Sequence, residues 1–142
     1  MFNQLFNTPT IDLLQRTINF TEQRNRVLAN DIANIDTPGF IQQDVSVGQF
    51  QKSLARAVER SREGQQGVTP ESASTVSFSR TGNGVTLHPH DVLDNTAFHD
   101  RGVRSLASLM SNLAQNAEAH QEAARLLTAQ FVRLRSAISL TP

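Results

Sequence analysis

The groups in this chain with the chemistry to hold a metal or move a proton are densest around residue 90. His88-Pro89-His90-Asp91, with Asp94 and His99 close behind, combines imidazole and carboxylate, a donor set that suits divalent ions. A His-x-His step on a strand points both rings the same way. The spacing nevertheless matches no tight ligand pattern, and the segment reads as a solvated loop. No catalytic, cofactor-binding or metal-ligating residue is assigned, and no cofactor is expected. Lys52, Arg56, Arg60 and Arg62 line a short helical stretch but are offset by Glu59 and Glu63, so they read as a solvated face rather than a nucleic-acid site. Cysteine is absent, which removes disulfides, thiolate zinc sites and thiol nucleophiles. There is no phosphate-binding glycine loop, no nucleophile elbow and no carboxylate pair in an apolar setting. Thirteen basic and thirteen acidic residues cancel to a net charge of 0, which argues against a general nucleic-acid or anionic-membrane binder. An enzyme is not expected.

Elements rather than reactive groups dominate the pattern. With 38% hydrophobic residues over 142 positions, the chain promises apolar stripes rather than a thick core around a buried active site. No apolar run approaches the length needed to cross a bilayer. The first nine residues lack the basic and apolar regions of a cleavable secretory signal, so none is expected.

A first helix is expected from about Pro9 to Asn34. Thr8 suits the N-cap, Pro9 the first helical position, and Asp12 the positive end of the helix dipole. Ile11, Leu14, Ile18, Thr21, Asn25, Leu28, Ile32 and Ile35 follow each other by alternate steps of three and four, a heptad seam that is polar only at Thr21 and Asn25. Asp36-Thr37-Pro38-Gly39 ends it. Pro38 disfavours helix at Thr37, and Pro-Gly suits the two central positions of a type II turn.

The middle is weaker. Gln49 to Glu63 reads as a short amphipathic helix on Phe50, Leu54 and Val58, with Gly64 placed to end it. Beyond it, Val76-Ser77-Phe78 and Val85-Thr86-Leu87 alternate around Thr81-Gly82-Asn83-Gly84. Two readings stand here: a weak hairpin, and disorder in the isolated subunit.

A second long helix is expected from about Val103 to Leu140. Its seam runs Val103, Leu106, Met110, Leu113, Ala117, His120, Ala124, Leu127, Phe131, Leu134 and Ile138, with His120 as the one position that is not apolar. A helix this long cannot bury such a stripe alone, and the simplest partner for each seam is the other. The fold expected is mostly α: long N- and C-terminal helices paired as an antiparallel coiled coil, with an irregular middle that is partly β or disordered. Residues 1–39 make the first coiled-coil helix and turn, 40–101 the short helix and linker region, and 102–142 the last helix. Setting Ile11 beside Ile138 brings Asn25 near Ala124 and Leu28 near His120. In that register the longer seam is only partly covered, and uncovered apolar surface of this kind meets other subunits.

Certain of these residues carry a family likeness. Leu28-Ala29-Asn30-Asp31-Ile32-Ala33-Asn34-Ile35-Asp36-Thr37-Pro38-Gly39-Phe40 resembles the N-terminal motif of flagellar axial proteins, usually A-N-N-I-A-N followed shortly by T-P-G-Y/F. The Asp before Thr-Pro-Gly and the following Gln42-Gln43-Asp44-Val45-Ser46 stretch look most like the proximal subunits of the flagellar basal-body rod family. Leu126 to Ile138 resembles that family's last helix, with its Leu-x-x-Ala-Ile ending. Asp31 stands where Asn is commonest, and Phe40 where Tyr is.

The resemblance implies a structural subunit of the bacterial flagellar rod, whose terminal helices pair as a coiled coil and whose copies stack into a periplasmic drive shaft. It implies export through the flagellar type III apparatus without a cleaved signal. It also implies contact with other rod subunits, copies of itself, the membrane-ring base and the rod adaptor protein, with no nucleic acid and no direct membrane insertion. On helix geometry alone, the motif offers three i,i+4 stripes: Ala29 and Ala33 for close approach, Asn30 and Asn34 for hydrogen bonds to a neighbouring backbone, Leu28 and Ile32 for the coil. The competing readings are a cytoplasmic coiled-coil adaptor or export chaperone, and a small metal enzyme built on the His-rich loop.

Overall fold

In the computed structural model, the residues described are 9–63, 69–92 and 101–139, with side chains from Thr10 onward and, in the last helix, from Leu106. Three helices are described: α1 over Pro9–Ala33, α2 over Val47–Arg62 and α3 over Arg101–Ser139. The expected Thr8 cap, the Gly64 stop, Asp94, His99 and the Val103 side chain lie outside the described residues.

α1 begins as its sequence requires, with Pro9 in the first turn and Asp12 near the dipole's positive end. It ends at Ala33, and the chain passes through a turn before reaching Pro38, which bars helix at Thr37. Thr37 N–H donates to Asn34 O at 2.9 Å, and Phe40 N–H to Thr37 O at 3.1 Å. Gly39 sits at φ +79°, the left-handed value a type II turn needs at its third residue and a glycine adopts freely. α2 is capped by Ser46, whose hydroxyl accepts from Gln49 N–H at 3.2 Å.

The middle is the hairpin of the two readings. β2 (Val76–Phe78) pairs antiparallel with β3 (Val85–Leu87) in the register Val76–Leu87, Ser77–Thr86 and Phe78–Val85. Its loop closes through Ser79 N–H to Gly84 O at 2.9 Å, with Gly82 at φ +80°. A second small ladder was not legible beforehand: β1 (Gln43–Asp44) pairs antiparallel with β4 (His90–Asp91). It ties the segment after the Thr-Pro-Gly turn to the segment after the hairpin.

A compact apolar core corrects the expectation of stripes alone. Phe20 of α1, Val45, Phe50 of α2 and Val76, Phe78 and Val85 of the hairpin are buried together, flanked by Val47, Leu54 and Leu87. The Phe20 and Phe50 rings stack at 3.9 Å between centroids and 10° between planes, and Phe78 lies 5.9 Å from Phe50. Burying each such ring is worth about 1.5–3 kcal/mol. α1 therefore has two buried faces. Phe20 joins Arg16, Arg24 and Asp31 on the face toward the middle, while Ile11, Thr21 and Leu28 belong to the heptad seam.

α1 and α3 pack extensively against each other. On α3 the buried residues are Leu109, Asn116 and Ala123, a seven-residue repeat. Leu113, His120, Leu127 and Leu134 are half-buried, as is Ala124. The expected seam thus holds at one of its two heptad positions from Leu113 to Leu134, and at the other it is displaced by one residue over 109–123, with Ala124 still half-buried. Leu106, Met110, Phe131 and Ile138 are exposed instead, at 37–48%. At the 116/117 step the displacement has its cause in Asn116. Its side-chain amide donates to Thr21 O at 2.8 Å inside the contact, so a polar residue occupies a position that an apolar pattern assigns to its neighbour Ala117.

The expected register also needs correction. His120 Nδ1 lies 2.9 Å from Thr21 Oγ1, four residues short of Asn25 and seven short of Leu28. Asn25 is exposed on α1 rather than facing α3.

Candidate assembly surface

Residues 28–40 form the end of α1 and the turn that follows, and their side chains divide by direction. Leu28 is fully buried and Asp31 nearly so, at 1% exposure. Ile32, Asn34, Ile35 and Phe40 are half-buried. Ala29, Asn30, Ala33, Asp36, Thr37, Pro38 and Gly39 are exposed. The Leu/Ile stripe is thus covered and the Ala stripe, about 100° round the helix from it, is exposed.

The Asn stripe behaves differently from the expectation. Asn34 donates its side-chain amide to Asn30 O at 2.8 Å and to Asn30 Oδ1 at 3.1 Å. Part of the donor capacity is thus directed back along the same helix end.

Two arginines hold this region to the middle of the chain. Arg24 forks onto Asp44, with Nε to Oδ1 at 3.0 Å and Nη2 to Oδ2 at 2.8 Å. Arg16 is 3% exposed. Its guanidinium reaches the hairpin loop, donating to Gly82 O at 2.9 Å and Ser79 O at 3.3 Å, while Nε binds Asp12 at 2.9 Å. Asn19 and Gln23 donate to Asn83 O and Val85 O from the same face. Sequence reasoning missed this face. The signal was present as Arg16, Phe20 and Arg24 at spacing four, but long polar residues on a heptad helix ordinarily read as solvated.

Asp31 accepts from Gln43 N–H through Oδ2 at 3.0 Å. Burial pushes its carboxyl above the ordinary aspartate value; the Gln43 N–H draws it down, and the neighbouring Asp44 carboxylate pushes it up again.

On α3, Met110, Leu126, Phe131 and Val132 are 43–58% exposed. Phe131, Leu134, Arg135, Ile138 and Ser139 line an apolar depression near its end.

The His-rich loop comes together only in part. His88 Nε2 lies 2.8 Å from Ser77 Oγ, and Asp91 accepts from the Gln43 side chain at 3.1 Å. His90 is exposed on β4. Among the described residues no three His, Cys, Asp or Glu side chains are grouped to hold a metal ion, and no helix is long and apolar enough to cross a membrane.

In comparisons with known proteins, no family model and no curated protein matches this chain.

Proposed function

We propose that the chain is a non-enzymatic structural subunit of the bacterial flagellar basal-body rod, a proximal one, polymerising through its terminal helices into the periplasmic drive shaft. α1 and α3 pair antiparallel in this reading, as a short coiled coil centred on Thr21, Asn116 and His120. The observation that carries it is the division of the 28–40 motif. Leu28 and Asp31 fasten it to its own chain, while Ala29, Asn30, Ala33 and the turn at Asp36 to Gly39 stand exposed beside a long helix with its own exposed apolar stripe. One segment then contacts its own chain and a neighbour at once, which a packed helical assembly demands.

The partners in this reading are copies of the chain, other rod subunits, the membrane-ring base, the rod adaptor protein and the flagellar type III export apparatus, through which the chain leaves the cytoplasm uncleaved. Fractionation tests it. Purified basal bodies should contain the chain, and cells lacking it should fail to build rods and fail to swim. Finding the chain only in the cytosol, with normal swimming in its absence, would eliminate the assignment.

A further inference from the structure

One buried group does more than fasten the motif to its own chain. Asp31 sits in the last turn of α1, where the dipole's negative end disfavours an anion. Its side chain is out of solvent, and Oδ1 is buried with no hydrogen-bond partner among the described residues. Oδ2 has one, the Gln43 N–H. Buried carboxylates that remain ionised ordinarily gather two or three donors, and this one has a single neutral N–H.

The surrounding charges do not supply the deficit. On β1, Asp44 is a second carboxylate, one residue past the Gln43 that holds Asp31. On α1, Arg24 is the cation at hand, and both of its bonding nitrogens are committed to Asp44, which also accepts from Val45 N–H at 2.7 Å. On β4, His90 stands opposite Asp44 in the ladder and Asp91 opposite Gln43; both are exposed.

We infer that Asp31 is a one-proton latch between the end of α1 and the returning strand β1. Neutral, it seats against Gln43 without a buried charge. Ionised, by loss of its carboxyl proton to solvent, it draws a stronger bond from Gln43 N–H but buries an under-bonded anion beside Asp44, and that larger cost works against keeping the side chain seated. The latch thereby couples a proton to the closure of the 34–42 turn, which carries the exposed Asp36 to Gly39. It does not depend on what the turn meets.

The sign follows from the geometry. The folded chain holds the Asp31 proton more tightly than the unfolded chain does, because burial and Asp44 raise its affinity. This contribution favours folding as pH falls. It is lost as pH rises from the ordinary aspartate value of 3.8 through the raised folded value, and is constant above that.

The test compares the full-length wild type with Asp31→Asn by denaturant unfolding across pH 3.5–7.5, roughly the range spanning carboxyl titration. Asparagine keeps an acceptor for Gln43 N–H and carries no charge. The ratio of folding constants, variant over wild type, should climb with pH by no more than about tenfold per unit, the limit for one proton, and then level off. Hydrogen exchange at the Gln43 amide, corrected for the intrinsic rate, should show protection falling over the same window in wild type and holding in the variant. A ratio that does not move with pH, or that falls, overturns the latch. Should the variant fail to fold, carbon-13 titration of the Asp31 carboxyl in wild type decides alone: a midpoint at or below the ordinary aspartate value rejects the inference, and one above it supports it.

Discussion

Arg16 is enclosed by groups that take its hydrogen bonds. Asp12 neutralises it within the helix, the hairpin carbonyls of Ser79 and Gly82 accept from it, and its guanidinium lies 5.9 Å from the Phe78 ring. Replacing it with methionine keeps much of the apolar stem but strands those carbonyls. Arg16→Met should lower stability by about 1–3 kcal/mol in denaturant unfolding, the usual cost of losing charged hydrogen bonds in a buried setting. Thr21 and His120 define a second residue-scale test. A double-mutant cycle between Thr21→Val and His120→Ala should give a coupling of about 0.5–1.5 kcal/mol, because the two side chains touch at 2.9 Å. The cycle between Asn25→Ala and His120→Ala should give about zero, since Asn25 is exposed and shares no contact with the ring.

The hairpin and α2 are short elements that depend on each other. Neither three-residue strand of the hairpin is long enough to hold alone, and α2 has an apolar face with one place to bury it. Phe50 links them by stacking on Phe20 and approaching Phe78. Phe50→Ala should cost about 3–5 kcal/mol and remove cooperative unfolding of the middle, followed by hydrogen exchange at Val76 and Val85. The hairpin tip makes a smaller prediction. A side chain at Gly82 meets nothing within 4 Å, so the penalty of Gly82→Ala arises from φ +80° alone. It should cost about 1–2 kcal/mol in thermal unfolding.

At the scale of the molecule, α3 carries large apolar side chains that the described residues leave exposed. Met110, Phe131 and Val132 are 48%, 43% and 58% exposed and make no contribution to the Phe20–Phe50–Phe78 core. Changing all three to glutamine should leave the stability of the monomer within about 0.5 kcal/mol per site. If the proposed polymerisation uses this stripe, the same variant should fail to self-associate at concentrations where wild type does, measured by sedimentation velocity. Full association of the triple variant would place the assembly contact elsewhere.

Local chemistry determined the boundaries of this fold. The turn at Asp36 to Gly39 is written in a proline that forbids helix behind it and a glycine that adopts positive φ, and no distant contact is needed to read either. The hairpin strands were legible for the same reason, as alternation around a Gly-Asn-Gly loop. The two long helices were legible from their periodicity. What each helix faces was decided only by tertiary structure. An apolar pattern placed the second α3 seam position on Met110, Ala117 and Phe131, because it has no means to credit Asn116 with a hydrogen bond to a carbonyl 95 residues away. The same blindness hid Arg16, Arg24 and Asp31. Each is charged and therefore reads as solvated, and each is buried against groups from elsewhere in the chain: hairpin carbonyls for Arg16, Asp44 for Arg24 and the Gln43 N–H for Asp31.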